Sequence, residues 1–246
     1  MIPPLTKSIK VTYLFLLLIS LCIILNPLIV LAIPTGLNIT YNVTETIAPS
    51  QAASLTTAGG SFTTMILNGS FQTERWKAYV GNISGLLTLD DASGKSIYNW
   101  DLAIISGEIY VSRSSQINWS TINCSEPTDI SSEESTLNIN SSLSDSINNT
   151  FNTTTHKSFY VGTVKISNSS CRAISTYVND SIQEVSEDSF FQEVLLSDID
   201  GNVVYTTILE DSTAGYDLAN YNFQLIVPED PTSPTPSTYY FFAEIS

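Results

Sequence analysis

The sequence predicts an all-β protein, an immunoglobulin-like or jelly-roll-type β-sandwich with one inserted helix or helical loop in the middle. Three observations predict it. Short segments alternate apolar and polar residues, Gly, Asp and Pro turn signals separate them, and one central stretch repeats apolar residues at helical spacing instead. Hydrophobic residues form 43% of the chain, which is enough to build a core.

Residues 1–32 are predicted to be a secretory signal peptide. Lys7 and Lys10 precede an apolar run from Val11 to Leu25, and Val30 and Ala32 occupy the small-residue positions of a cleavage site. The alternative is an uncleaved N-terminal membrane anchor, because the apolar stretch is long enough to span a bilayer. Both interpretations place every residue after Ala32 outside the membrane.

Residues 33–60 are interpreted as an N-terminal arm and linker. Leu37–Val43 alternates apolar and polar residues, which predicts a free edge strand. Residues 48–60 are rich in Ala, Ser, Thr and Gly, a composition typical of a linker.

Residues 61–246 are predicted to form the sandwich domain. Its first strands are expected over 62–67, 71–80, 86–89, 97–102 and 108–112, the last half-buried and continued by the alternation of Ile117 and Trp119. Asp90–Gly94 is expected to be a hairpin loop between the third and fourth of these strands.

A helical, glycan-rich insertion is expected at about 125–157. Leu143, Ile147 and Phe151 recur every four residues within a helix predicted over 129–151, which Ser131 or Ser132 would cap.

Later strands are expected over 159–166, 173–178, 190–196, 203–209, 223–227 and 239–245. Asp198-Ile199-Asp200-Gly201-Asn202 predicts a hairpin turn of type I′ at Asp200-Gly201, with weaker potential for calcium. The same Asp-x-x-Gly pattern at Asp91 and Gly94 is explained better by shared turn chemistry than by duplication.

Sequons for N-glycosylation are the most frequent functional motif. None has Pro at its middle position, and none follows residue 179, so the last third is either buried or reserved for contacts. The eleven acceptors are Asn38, Asn42, Asn68, Asn82, Asn118, Asn123, Asn140, Asn148, Asn152, Asn168 and Asn179.

Cysteine and histidine usage agrees with export. Two cysteines, Cys124 and Cys171, follow the leader, and an even pair in an exported chain predicts one disulfide. His156 is the only histidine and is interpreted as a surface-loop residue. Two cysteines and one histidine are too few for a zinc site, so no metal or other cofactor is expected.

Charge excludes one class of partner. The net charge is −15, and clustered Lys and Arg are lacking, so nucleic acid is not expected to bind. A membrane contact is expected only through residues 1–32, if they stay uncleaved.

No catalytic residue is assigned, because the chain lacks a nucleophile motif, a phosphate-binding loop and a Cys-x-x-Cys pair. Adjacent acids are interpreted as solvated turn and cap residues, and aromatic residues as core residues with a weaker potential for stacking on sugars. The acid pairs are Asp90-Asp91, Glu133-Glu134, Glu187-Asp188 and Glu229-Asp230, and the aromatic residues are Trp76, Tyr79, Trp100, Tyr110 and Trp119.

Four stretches, residues 74–85, 107–112, 194–211 and 228–230, resemble a family of secreted cell-surface glycoproteins of archaea. The resemblance implies a cell-envelope location and N-glycosylation outside the membrane. It implies no activity and no catalytic residue.

The sequence therefore predicts a non-enzymatic, N-glycosylated, extracellular protein of the cell surface with an envelope or adhesion role. Other envelope proteins, further copies of the chain, or glycans are the expected partners. One alternative is a filament subunit in which the Leu37–Val43 arm adds a strand to a neighbour. A further alternative is a carbohydrate-binding module or weak glycosidase.

Overall fold

A computed structural model describes residues 33–101 and 105–245 of the protein. It consists mainly of antiparallel β-strands, with two short α-helices among the described residues. The predicted all-β sandwich with a central helical segment is therefore confirmed. The predicted leader, residues 1–32, lies outside the described residues. Among the residues that are described, no helix has the length and apolar character needed to cross a membrane.

The strands are β1 (Thr35–Gly36), β2 (Trp76–Gly81), β3 (Leu86–Asp90), β4 (Ser96–Asp101), β5 (Gly107–Ser112), β6 (Asn123–Cys124), β7 (Phe159–Val161), β8 (Val164–Ile166), β9 (Ala173–Ser175), β10 (Gln192–Ser197), β11 (Val203–Ile208), β12 (Thr213–Ala214), β13 (Asn220–Tyr221), β14 (Phe223–Pro228) and β15 (Tyr240–Ile245). The helices are α1 (Pro127–Thr136) and α2 (Ile147–Thr150).

The central sheet has the strand order β1-β15-β5-β11-β10-β6, and β9 also pairs with β10. Every pair in this sheet is antiparallel. All residues of β10 and β11 are buried, and so are all residues of β5 after Gly107. The expectation of a half-buried strand at 108–112 is therefore wrong, because layers cover both faces of the sheet.

Successive side chains of the central strands lie on opposite faces of the sheet, and each face contributes to a separate core. Odd-numbered residues such as Val111 and Tyr205 pack with the β2–β14 ribbon and the helical segment. Even-numbered residues such as Tyr110 and Val204 pack with the β7–β8 hairpin on the other face. The sequon-free last third of the chain is thus explained in part by burial, since it supplies β10 and β11.

Two hairpin turns are built by the same hydrogen bonds. In both, the aspartate N–H donates to the C=O of the residue four positions later, and the glycine N–H donates back to the aspartate C=O. The aspartate carboxylate accepts two further N–H groups in each turn. The shared turn chemistry of Asp91 and Asp198 is therefore present in the structure.

The type I′ prediction at Asp200-Gly201 is wrong. Only Gly201 has a positive φ, 79°, whereas type I′ requires positive φ at both central residues. The Asp198 N–H donates to the C=O of Asn202, so three residues lie in the loop, an arrangement typical of a type I turn followed by a glycine bulge.

The segment predicted as one strand over 159–166 is a hairpin. β7 and β8 pair antiparallel on either side of Gly162-Thr163. Gly162 has a φ of 56°, as the first central residue of a type II′ turn requires.

The predicted helix over 129–151 is two shorter helices. Glu126, not Ser131 or Ser132, caps α1, and its carboxylate and that of Asp129 form a reciprocal capping box. Asn138, with a φ of 53°, follows the helix in the left-handed conformation that commonly ends helices. Turns then lead to α2, which Ser146 caps.

The segment before β2 departs most from expectation. Only Thr35–Gly36 pairs with β15, so the predicted edge strand over 37–43 is wrong. The strand predicted over 62–67 is absent as well, and the one predicted over 71–80 begins only at Trp76. Instead of continuing the alternation of β5, Trp119–Thr121 forms a 3₁₀ turn.

Candidate functional surfaces and buried polar sites

The sequons lie on the surface of the protein. Ten of the eleven acceptor asparagines are exposed, and Asn148 is half-buried at α2. They occupy loops, turns and the helical segment, except for Asn123 in the short strand β6. Their side chains are therefore accessible in the folded chain.

Two sequons carry a hydrogen bond between their own side chains. The hydroxyl of Ser120 donates to Oδ1 of Asn118 at 2.7 Å, and that of Ser142 donates to Oδ1 of Asn140 at 2.8 Å. The amide nitrogen, which is the atom that receives a sugar, takes no part in either bond.

Asn168 differs from the other acceptors in the bonding of its amide nitrogen. Nδ2 of Asn168 donates to a carboxylate oxygen of Glu187 at 2.6 Å, and the Ser169 hydroxyl donates to the same oxygen. These two bonds hold the pKa of Glu187 below its usual value.

The predicted disulfide between Cys124 and Cys171 is present, with the Cα atoms 4.9 Å apart. Cys124 lies in β6, which pairs with Leu196 of the central sheet. Cys171 is fully buried just before β9. The bond closes a loop of sequence separation 47 that contains both helices and the β7–β8 hairpin.

His156 is not the surface-loop residue that the sequence suggested, because it is completely buried. Its Nε2 accepts the backbone N–H groups of Ser170 and Cys171 at 3.2 and 3.0 Å. Its Nδ1 lies 2.6 Å from the C=O of Lys157 and must be the protonated nitrogen. Burial lowers the pKa of His156, against a smaller opposing effect of the Lys157 carbonyl.

An acid pair that sequence patterns did not indicate lies between the central sheet and the β7–β8 hairpin. Glu108 and Glu244 are directly opposite in the β5–β15 pair, and both are buried. The Tyr110 hydroxyl lies within 3.5 Å of both carboxyl groups, and the Gly162 N–H donates to Glu244 at 2.7 Å. Burial, then the charge of Glu244, raises the pKa of Glu108 to about 8. Burial also raises the pKa of Glu244.

A third buried acid, Glu193, lies on the other face of the sheet. One carboxyl oxygen accepts the Ile226 N–H at 2.8 Å, and the other has no hydrogen-bond partner. Complete burial raises the pKa of Glu193 well above its usual value, against a smaller lowering by the Ile226 N–H.

Glu133 and Glu134 are buried, so their interpretation as solvated acids is wrong. Glu133 binds the Arg113 guanidinium through two bonds of 2.8 and 2.6 Å, joining α1 to the end of β5. Glu134 accepts the N–H of Asn148 at 2.8 Å, joining α1 to α2. Both acids connect structural elements.

The Asp198 turn gives no support to the calcium interpretation. Its Oδ1 accepts the N–H groups of Asp200 and Asn202, and its Oδ2 accepts the N–H of Asn118. Among residues 33–101 and 105–245, no three His, Cys, Asp or Glu side chains converge as metal ligands.

Four of the five aromatic residues interpreted as core residues pack against the body of the protein. Trp76 and Tyr79 pack against one core, and Trp119 packs against Tyr110 in the other. Trp100 differs, since its side chain is exposed and stacks edge-on with Tyr98 at 4.9 Å.

The β3–β4 hairpin is an apolar ribbon on the surface. Every residue of both strands is exposed, and in the described sheets the two strands pair only with each other. The register places Leu87 opposite Trp100 and Leu89 opposite Tyr98, so these four side chains share one face.

A long exposed loop, residues 38–72, lies between two anchored ends. The Leu37 N–H donates to the C=O of Phe241 at one end, and the Thr73 hydroxyl donates to Asp145 at the other. Every residue between them is exposed.

Comparison of the chain with protein-family models, with curated proteins and with solved structures found no match.

Proposed function

We propose that the protein is an exported, N-glycosylated, non-enzymatic component of the cell surface, of the kind that the resemblance to archaeal envelope glycoproteins implies. The exposure of ten of the eleven acceptor asparagines carries this proposal, since a sugar can be attached at those positions without disturbing the fold. The leader pattern supports export, and so does the disulfide, a bond typical of oxidising compartments.

Glycopeptide mass spectrometry of the protein from its native source tests the proposal. We expect sugars on the exposed acceptors, and none on Asn99, which is exposed but lies outside any sequon. The proposal is wrong if all acceptors are unmodified. Protease treatment of intact cells should digest the protein, and protection from digestion until the cells are lysed would contradict a surface location.

A second candidate function is self-association into an extracellular assembly. The exposed 38–72 loop favours it, because structureless loops of this length are uncommon in compact domains and are often functional. The free arm over 37–43 is no longer the expected donor, since Leu37 is held at the sheet. Electron microscopy and light scattering of the purified protein should detect assemblies, and a monomer at every concentration would exclude this function.

A further inference from the structure

Residues 62–67 expose apolar side chains that the chain itself does not bury. Phe62 is 93% exposed and Ile66 is 96% exposed. Burial of large apolar side chains stabilises a protein, and these side chains remain in contact with water. A second surface is therefore needed to bury these side chains.

The same residues have the composition of a strand but no strand to pair with. Phe-Thr-Thr-Met-Ile-Leu is rich in β-branched and large apolar residues, and its backbone makes none of the described backbone–backbone hydrogen bonds. If it were extended, Phe62, Thr64 and Ile66 would share one face. The next residue, Asn68, is a sequon acceptor, so a sugar there would lie directly beyond the strand end.

The β3–β4 hairpin offers the complementary surface. A two-stranded ribbon is marginally stable alone in water and gains stability from a third strand or from cover over its apolar face. Its outer edges are unpaired in the described sheets, and its apolar face carries Leu87, Leu89, Tyr98 and Trp100.

The absence of charge on both surfaces allows a second copy of this chain to supply the strand. The protein has a net charge of −15, so most surfaces of two copies repel each other. The loop has no charged residue between Glu45 and Glu74, and the apolar face of the hairpin has none. These two surfaces can therefore meet with little like-charge repulsion.

We propose that residues 62–67 of one copy add as a third strand to the β3–β4 hairpin of a second copy. This inference rests on the second candidate function, self-association, and it specifies the contact. Main-chain hydrogen bonds along the hairpin edge supply affinity, and Phe62 and Ile66 extend the apolar face. Raising the salt concentration should strengthen the association, because salt screens the repulsion between two acidic copies.

Paired variants test the contact by light scattering and native mass spectrometry on the purified full-length exported chain. Ile66→Asp alters the donor and Leu89→Asp the acceptor, and each should weaken association at least about tenfold. Leu55→Asp, in the same loop, and Asn99→Asp, on the other face of the hairpin, add the same charge at exposed positions and should associate like the wild type.

Mixing the two defective variants separates this contact from general adhesion. Leu89→Asp retains an intact donor and Ile66→Asp an intact acceptor, so the mixture should form a heterodimer that neither forms alone. If the wild type associates but both variants do so equally well, self-association stands and this contact is wrong. If the wild type is monomeric, with residues 62–67 bound to their own hairpin or to nothing, both self-association and this contact are wrong.

A photoreactive residue at Phe62 gives a second readout that does not depend on disruptive variants. We expect cross-links to residues 86–101 between chains, in species of dimer mass. Cross-links confined to one chain, or to other regions of the surface, would overturn the proposal.

Discussion

Glu244 lies directly opposite Glu108 across the antiparallel β5–β15 pair, and the Tyr110 hydroxyl lies within 3.5 Å of both carboxyl groups. Two charged carboxylates facing each other on neighbouring strands destabilise a sheet. The pair therefore retains a proton that an exposed pair would release, as the raised pKa values of both acids indicate. This buried proton links the stability of the central sheet to pH.

Glu108→Gln should remove much of the pH dependence of the free energy of unfolding. The pKa of Glu108 is about 8 in the folded chain against an ordinary 4.5, so the unfolded chain releases a proton that the folded chain holds. The free energy of unfolding therefore falls as pH rises from about 4.5 to 8. In denaturant titrations, Glu108→Gln should be more stable than the wild type by roughly 3–5 kcal/mol at pH 8 and about equal at pH 4. An exposed control, Glu74→Gln, should keep the wild-type slope, and an unchanged slope in Glu108→Gln would contradict the prediction.

His156 should give stability the opposite pH dependence to that of Glu108. Its folded pKa is lowered, so the unfolded chain binds a proton more readily and stability is lost as pH falls below about 6.5. Protonation of Nε2 would replace the acceptor of the Ser170 and Cys171 N–H groups with a donor.

His156→Phe preserves a ring of similar shape but removes that acceptor. We expect a loss of roughly 2–4 kcal/mol at pH 7.5, since the N–H groups of Ser170 and buried Cys171 lose their acceptor. The loss should be smaller at pH 5, where the wild type is itself weakened. An NMR titration of the imidazole supplies the direct check, and a folded-state pKa at or above 6.5 would contradict the prediction.

Turn chemistry and alternation were enough to predict much of this fold. The turns at Asp91 and Asp198 could be predicted from a few neighbouring residues, because an aspartate side chain and a glycine define each turn. Phe62–Leu67 has an equally strong strand pattern but forms no strand, because a strand also needs a partner edge. Sequence pattern detects the propensity of a segment and not the presence of its partner.

The buried polar groups could not be predicted, for a different reason. Alternation in β5 predicted a half-buried strand, in which Glu108 lies on the opposite face of the sheet from Ile109 and Val111. The β7–β8 hairpin covers that face, and this hairpin looked like a single strand in the sequence. For His156 no local pattern distinguishes a loop histidine in solvent from one that binds two backbone N–H groups.

Removing the disulfide should destabilise the flank that carries the helices. The Cys124–Cys171 bond closes a loop of sequence separation 47, so the chain-entropy model gives a loss of about 4 kcal/mol for the double Cys→Ala variant. Denaturant unfolding measures this loss, and reduction of the wild type should reproduce it. Amide exchange should accelerate more in residues 125–171 than in β10 and β11. A loss below about 1 kcal/mol would show that the loop stays ordered without the bond.

Glycosylation of Asn168 should be limited by its bond to Glu187 wherever the sugar is added after folding. Nδ2 of Asn168 must leave the Glu187 carboxylate before it can react, whereas no hydrogen bond holds the amide of exposed Asn68 among the described residues. Glu187→Ala should raise the fraction of Asn168 that carries a sugar severalfold, with Asn68 unchanged as an internal reference. Asp188→Ala removes a neighbouring exposed acid that makes no bond to Asn168, and should leave the occupancy at the wild-type level. Quantitative glycopeptide mass spectrometry measures each fraction. Equal occupancy of Asn168 in the wild type and in Glu187→Ala would mean that the sugar is added before this loop folds.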